Sequence, residues 1–150
     1  MEYRITNEKD IGQLMDIRLE MLRIVNSLPE DYTFPAELVE NSRRYFISGD
    51  QTTVIAEDNG TAAGCASISY IEMMPTFSHP TGRRGHLMNV YTKASYRRQG
   101  IARRMVEMLI ADAMEKGATE ISLDATDSGK PLYEALGFRA SEECMVMTLK

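Results

Sequence analysis

The segment that decides the fold spans residues 90–102 and reads VYTKASYRRQGIA. A short β-branched and aromatic run enters a turn, and the turn opens directly into an amphipathic helix predicted over residues 103–116. The first turn of a helix has unpaired backbone N–H groups and partial positive charge, so it receives anions. Gly100 lets the backbone approach a phosphate closely, and Ala102 is too small to push a ligand away. The layout therefore predicts a loop that holds a pyrophosphate.

The charge of this segment contrasts with that of the whole chain. The 150 residues have a formal net charge of -5, yet Arg97, Arg98, Arg103 and Arg104 lie close together. Guanidinium groups are suited to phosphate oxygens. A general nucleic-acid surface would be basic across the whole domain, so the contrast favours a local anion site. On spacing alone, a solvated basic helix start is an equally good interpretation.

Two motifs resemble those of the GNAT superfamily of acyl-CoA-dependent N-acetyltransferases. RRQGIA, residues 97–102, is similar to the Arg/Gln-x-x-Gly-x-Gly/Ala loop that cradles the CoA pyrophosphate in that superfamily. PLYEALGF, residues 131–138, is similar to its LYEKLGF segment, in which a helix ends at a glycine before a strand. About one helix, one strand and a turn separate the two motifs, as the fold requires. The chain resembles a small, bacterial-type, single-domain member.

The resemblance implies an α/β GNAT fold over residues 1–150, as one domain. This fold is a mixed, mostly antiparallel twisted sheet of roughly six to seven strands, splayed at its centre and flanked by about four helices. The residue pattern predicts strands at Tyr3–Ile5, Thr52–Glu57, Ala62–Ile71, His86–Tyr91, Ile121–Ala125 and Met145–Leu149. The splay is expected between Gly85–Tyr91 and Ile121–Ala125. A long loop, Glu72–Gly85, is expected to border the site.

The resemblance also implies which residues bind acetyl-CoA. A splayed strand edge offers backbone groups to the pantetheine amides, and the implied edge consists of Val90, Tyr91 and Thr92, with the Val90 N–H directed at the thioester oxygen. The implied pyrophosphate site consists of Arg97, Arg98, Gln99, Gly100, Ile101, Ala102 and Arg103. Thr126 occupies a position where many relatives have a cofactor-contacting asparagine, and Ser128 is an alternative to it.

Tyr133 and Glu72 are the candidate catalytic residues. The tyrosine of the LYEKLGF motif commonly protonates the departing thiolate, and a phenol pKa near ~10 is close to that of a thiol. The alternative is a tyrosine that simply packs on the core. Glu72, at a strand end beside the cleft, could draw the amine proton through water, while His86 and His79 titrate in a suitable range. No dedicated base is needed if the amine arrives partly neutral.

The predicted acceptor site lies between the first two helices and the long loop. Its expected lining is Tyr32, Phe34, Met73, Met74 and Phe77, with scattered acids. Such a lining suits an amine with an apolar body. The same residues could equally pack the loop on the sheet.

The sequence therefore predicts an acetyl-CoA-dependent transferase that acetylates a primary amine of a small molecule by direct attack in a ternary complex. A peptide or protein acetyltransferase and a non-catalytic acyl-CoA sensor are the alternatives. No metal, nucleic-acid or membrane partner is expected, and Cys65 and Cys144 are expected to be reduced core residues. A cytoplasmic location is the default expectation. The final strand, apolar for an edge, is compatible with a homodimer.

Overall fold

The computed structural model describes residues 1–149, which form a five-stranded mixed sheet with helices on both faces. The strands are β1 (Glu2–Ile5), β2 (Gln51–Asp58), β3 (Thr61–Glu72), β4 (Arg83–Thr92) and β5 (Ile121–Leu123), in that spatial order. The helices are α1 (Ile11–Val25), α2 (Ala36–Ser48), α3 (Ile101–Glu115) and α4 (Lys130–Ala135). All neighbouring strands are antiparallel except β4 and β5, which are parallel. None of the described helices is long and apolar enough to cross a membrane.

Two hydrophobic clusters hold the helices on the sheet. The α3 side chains Met105, Val106 and Leu109 are fully buried against one face. On the other face, α1 buries Leu14 and Ile17. Strands β2 and β3 are covered on both sides, so most of their residues are buried and their sequences lack a polar face. The central strands are thus fixed in position, which gives the site a rigid base.

The predicted final strand at Met145–Leu149 is wrong, and so is the count of six to seven strands. Residues 139–149 contain no helix or strand, and the exposed fractions of Met145 and Met147 are 94% and 84%. A β-branched and apolar run favours a strand only where a neighbouring strand accepts its hydrogen bonds. The adjacent β5 has only three residues. Cys144, in the same segment, is exposed rather than buried, whereas Cys65 is buried as predicted.

The sheet opens between β4 and β5 as the sequence predicted. The two strands pair only at Gly85–Ile121, His86–Ser122 and Leu87–Leu123. From Met88 to Thr92, β4 continues with no β5 partner among the described residues. One edge of a central strand is therefore accessible, next to the loop that leads into α3.

Gly64→Ala is expected to lower the free energy of unfolding by about 2 kcal/mol, because it overpacks the β3–β4 contact. A Cβ at Gly64 would lie 2.7 Å from the Tyr91 carbonyl oxygen and 3.2 Å from Met105 Cε. Gly12 is the matched control: it lies in α1, and a Cβ there would have no atom within 4 Å. Gly12→Ala should raise the same free energy by about 0.5–1 kcal/mol through helix propensity. Urea unfolding, monitored by circular dichroism, measures the free energy of unfolding of both variants. The same change in Gly64→Ala and Gly12→Ala would contradict the packing argument.

Candidate active site

A β-bulge interrupts β4 where the sheet opens. In the β3–β4 ladder, Cys65 pairs with Tyr91 and Ser67 pairs with Met88. Two β4 residues, Asn89 and Val90, therefore lie opposite the one β3 residue between Cys65 and Ser67. Asn89 has a φ of 58°, in the left-handed region that most side chains avoid. An extra residue in one strand bends that strand and leaves ladder groups unpaired. The Val90 backbone, which the sequence assigned to the thioester, therefore lies in an irregular part of the strand.

Side chains from two elements fix this bulge. Asn89 Nδ2 donates a hydrogen bond to Ser67 Oγ at 3.3 Å, and Arg18 Nη1 of α1 donates one to Asn89 Oδ1 at 3.1 Å. Sequence reasoning identified neither Asn89 nor Arg18 as a site residue. A positive φ at an asparagine inside a strand leaves no mark in the hydrophobic pattern, although asparagine tolerates that conformation better than most residues.

Thr92, at the end of the open β4 edge, has an unsatisfied polar atom. Its hydroxyl oxygen is buried and has no hydrogen-bond partner within residues 1–149. Burying a hydroxyl without a partner costs free energy, so such an atom often marks a place where a ligand binds. The position agrees with the assignment of Thr92 to the cofactor edge.

The loop between β4 and α3 has the geometry of an anion site. Arg98 and Gly100 both have positive φ angles, 62° and 76°. No side chain caps α3, whose first intrahelical bond runs from the Arg104 N–H to the Gly100 carbonyl at 3.1 Å. The backbone N–H groups of residues 101–103 consequently have no intrahelical acceptor. The oxygens of a pyrophosphate can accept hydrogen bonds from these N–H groups. The geometry is compatible with the phosphate site predicted at residues 97–103.

The charged and amide side chains of the loop fall into two groups. Arg97 donates from Nε to the Thr92 carbonyl at 3.2 Å, and Arg103 donates from Nε to Glu107 at 3.0 Å. The Arg97 contact ties the loop to the end of β4, whereas the Arg103 contact lies within α3. Arg98 and Gln99 are exposed at the same turn. Binding of the CoA phosphates by any of these side chains is a prediction.

Tyr133 lies on α4, half-buried against the α3 cluster that Val90 also contacts. Its ring packs edge-on against Phe138, with 5.9 Å between the ring centroids. Burial raises the pKa of the Tyr133 phenol above its ordinary value. The hydroxyl therefore keeps its proton at neutral pH, as a proton donor must.

Thr126 and Ser128 shape the turn that leads into α4. Thr126 Oγ1 accepts a hydrogen bond from the Gly129 N–H at 3.2 Å and lies 3.2 Å from Ser128 Oγ. The Thr126 carbonyl accepts from the Lys130 N–H at 3.1 Å. Both hydroxyls thus serve the helix that presents Tyr133. A direct cofactor contact by either is still a prediction.

The candidate bases lie away from this group of residues. Glu72 pairs with Arg83, at the opposite end of β4 from the bulge, and its side chain is 83% exposed. His79 Nδ1 lies 2.8 Å from Thr119 Oγ1, beyond the C-terminal end of α3. His86 Nδ1 lies 2.7 Å from Ser122 Oγ on β5. Of the predicted site residues, Glu72 is the one that the fold separates most clearly from the rest.

A cavity of about 300 Å³ lies against the bulge, between α1, α2 and the sheet. Its lining residues are Arg18, Asn41, Ser42, Tyr45, Phe46, Gln51, Ser67, Ser69, Met88 and Asn89. None of the five predicted aromatic and methionine residues belongs to this lining. Tyr32 instead packs edge-on against Phe34, and Met74 and Phe77 are exposed. Residues 73–82 turn toward Gly117, whose carbonyl accepts a hydrogen bond from Thr81 Oγ1. Contact of these five residues with the acceptor stays a prediction.

Residues 18–138 match the Acetyltransferase (GNAT) family, and the chain belongs to that family. The match spans the cavity, the bulge, the phosphate loop and α4. GNAT relatives are named as N-acetyltransferases, and the chain is an acyltransferase enzyme of this class. Within the described part of the chain, no group of three or more histidine, cysteine or carboxylate side chains could hold a metal ion.

Three relatives illustrate the range of the family. A glucosamine 6-phosphate N-acetyltransferase from Trypanosoma brucei brucei is 28% identical, with 99% of this chain and 96% of that protein aligned. A thialysine N-epsilon-acetyltransferase from Sus scrofa is 31% identical over 53% of this chain and 49% of that protein. The crystal structure of a predicted acetyltransferase with acetyl-CoA from Clostridium acetobutylicum is 31% identical, with a TM-score of 0.85, covering 98% of this chain and 95% of that one.

Proposed function

We propose that this protein transfers an acetyl group from acetyl-CoA to the primary amine of a small molecule, by direct attack in a ternary complex. The observation that carries the proposal is the continuity of three features. The uncapped start of α3 follows the open edge of β4, and the bulge on that edge borders the cavity. An extended cofactor would thus place its phosphates at one end and its thioester beside the acceptor.

The reaction assigned to this site breaks one bond and forms one bond. The amine nitrogen attacks the thioester carbon, a C–N bond forms, and the C–S bond then breaks. The carbonyl oxygen gains negative charge during the attack, and the backbone N–H of Val90 is proposed to stabilise it. Tyr133 gives its proton to the departing thiolate and then regains a proton from water, while the attacking nitrogen loses its proton to water. Holding both reactants in one complex supplies much of the rate enhancement.

The small acceptor cavity favours a small molecule over a peptide. A volume of about 300 Å³ is at the small end of the range for small-molecule sites, and α2 covers the sheet where an extended peptide would otherwise lie. Two of the relatives described above are named for small amines, glucosamine 6-phosphate and thialysine.

The assignment of Glu72 as the base is tested by Glu72→Gln. Because its carboxylate lies at the far end of β4 and outside the cavity lining, we expect kcat to change by less than about twofold, with the amine arriving partly neutral. Steady-state kinetics at pH 7 and pH 9 measure this. A loss of about 100-fold at pH 7 would restore Glu72 as the base.

The decisive experiment measures CoA release from acetyl-CoA by chromatography, against a panel of small amines and peptides. The panel contains glucosamine 6-phosphate, thialysine, lysine, polyamines and N-terminal peptides. Turnover with a small amine supports the proposal, and turnover with peptides alone would replace it with peptide acetylation. Acetyl-CoA binding without turnover on any amine would favour the sensor.

We propose a cytoplasmic enzyme, because Cys65 and Cys144 form no disulfide, as is usual for proteins of a reducing compartment. A homodimer that uses the exposed apolar residues Met145 and Met147 is also proposed. Light scattering with and without residues 141–150 would test the dimer.

A further inference from the structure

The acceptor cavity contains one formal charge, and it is positive. Arg18 is the only ionisable lysine, arginine or carboxylate side chain among the lining residues; the others contribute amides, hydroxyls, a phenyl ring and a thioether. The sequence had predicted scattered acids here. A site for a simple cationic amine would be expected to contain carboxylates. None lines this cavity, although Tyr45 and Phe46 contribute aromatic rings.

Arg18 has no carboxylate partner within residues 1–149. Its one side-chain hydrogen bond there runs from Nη1 to Asn89 Oδ1 at 3.1 Å, whereas a guanidinium has five N–H donors. Two other partly buried arginines are paired, since Arg4 contacts Asp10 and Glu57 and Arg83 contacts Asp50. Arg23, also partly buried, has no ion pair within residues 1–149 and lies over the Phe34 ring outside the cavity. The Arg18 side chain is half-buried on α1, and burial lowers its pKa.

An unpaired charge that is partly removed from water costs free energy, and this cost is recovered when a ligand supplies the counter-charge. Arginine is the side chain best matched to carboxylate and phosphate oxygens, which it binds through two parallel N–H donors. Ser67, Ser69 and Tyr45 also contribute hydroxyl groups to the cavity lining, where Tyr45 donates a hydrogen bond to Ser69 Oγ at 2.8 Å. The cavity is therefore built for an anion as well as an amine.

We propose that the acceptor is a small amine that carries an anionic group, a carboxylate or a phosphate monoester, and that Arg18 binds this group. The inference rests on the proposed function, because it names the substrate class of the same site. The Asn89 contact places the Arg18 guanidinium beside the bulge, so the anion and the reacting amine lie within one small cavity. Arg18 then determines specificity, and Asn89 positions its guanidinium.

The test compares amines that differ by one anionic group. Glucosamine 6-phosphate is paired with glucosamine, and lysine with cadaverine, so the two arms separate phosphate from carboxylate. For the wild-type enzyme, kcat/KM is expected to be about 30-fold higher for the member that carries the phosphate or carboxylate, in at least one pair. Hydrogen bonds to charged groups contribute free energies of this size. Most of the difference should lie in KM, because a remote anion contributes binding rather than chemistry.

Arg18→Gln should reduce that ratio to near one, and Arg18→Lys should restore part of it. Arg43→Gln, an exposed arginine on α2 outside the cavity, is the matched loss of charge and should leave the ratio unchanged. If Arg18 has a purely structural role, its replacement would lower kcat/KM equally for both members of a pair. The ratio would then stay the same, and the inference would be overturned. Equal wild-type activity on both members of each pair would do so as well.

Calorimetry separates this inference from the proposed function. The same four amines are titrated into the protein in the presence of CoA. If the amines that carry a phosphate or carboxylate bind tenfold or more tightly than their partners without that group (a difference of about 1.4 kcal/mol), and none is acetylated, the anion site stands and the transferase proposal falls. Acetylation of glucosamine and cadaverine alone would support the transferase and overturn the anion site.

Discussion

Tyr133→Phe is expected to lower kcat by about 100-fold while the Kd of acetyl-CoA changes less than twofold. A general acid contributes about 10²–10⁴ in rate, and 100-fold corresponds to about 2.7 kcal/mol of transition-state stabilisation. The phenyl ring can keep the edge-on contact with Phe138, so the packing of α4 should survive. Stopped-time chromatography of released CoA gives kcat, and calorimetry gives the Kd.

The pH profile adds a second test of the same role. Burial raises the pKa of Tyr133, so the phenol stays protonated through neutral pH and ionises only above its ordinary value near ~10. Wild-type kcat should accordingly fall at high pH, and this fall should be absent from Tyr133→Phe. Tyr32→Phe, in the exposed loop after α1, is the control and should match wild type. A Tyr133→Phe enzyme with full kcat would reduce Tyr133 to a packing residue.

Much of the fold could be predicted because local and long-range signals agree. The pair Asn59-Gly60 takes positive φ at both residues, as the hairpin between β2 and β3 requires, and the flanking strands were predicted to within one residue at each end. The amphipathic pattern of α3 corresponds to its buried side chains Met105 and Leu109. The strand predicted at Met145–Leu149 is wrong because a strand forms only beside a neighbouring strand. The sequence of the segment itself does not reveal whether such a neighbour is present.

The site divides in the same way between local and long-range information. The phosphate loop is a contiguous motif, and the αL residue Gly100 is one that a helix start of this type requires, so the sequence shows it directly. The acceptor cavity is instead assembled from α1, α2 and three strands, and Arg18 meets Asn89 across 71 positions of the chain. In the sequence, Arg18 is one polar residue among several on an amphipathic helix. Its role depends on which face of α1 approaches the bulge.

Gly100→Ala is expected to weaken acetyl-CoA binding by about 30-fold, equivalent to about 2 kcal/mol. Gly100 has a φ of 76°, and a Cβ there would have no atom within 4 Å, so the protein itself does not exclude a methyl group. The expected loss has two sources. An alanine in the left-handed region is strained by about 1–2 kcal/mol, and relief of that strain would turn the first α3 N–H groups away from a phosphate. The added methyl group would also occupy the surface that the pyrophosphate approaches.

Gly117 supplies a matched control at the other end of the same helix. It has a φ of 79°, is exposed, and also has no atom within 4 Å of an added Cβ. Gly117→Ala should therefore lower the free energy of unfolding as much as Gly100→Ala does, by about 1 kcal/mol, yet leave the Kd of acetyl-CoA unchanged. Calorimetric titration and urea unfolding of both variants measure these quantities. Equal loss of affinity in the two variants would mean that destabilisation of α3 explains the effect. A loss confined to Gly100→Ala would locate the cofactor phosphates at the N-terminus of α3, because only the position of the methyl group differs.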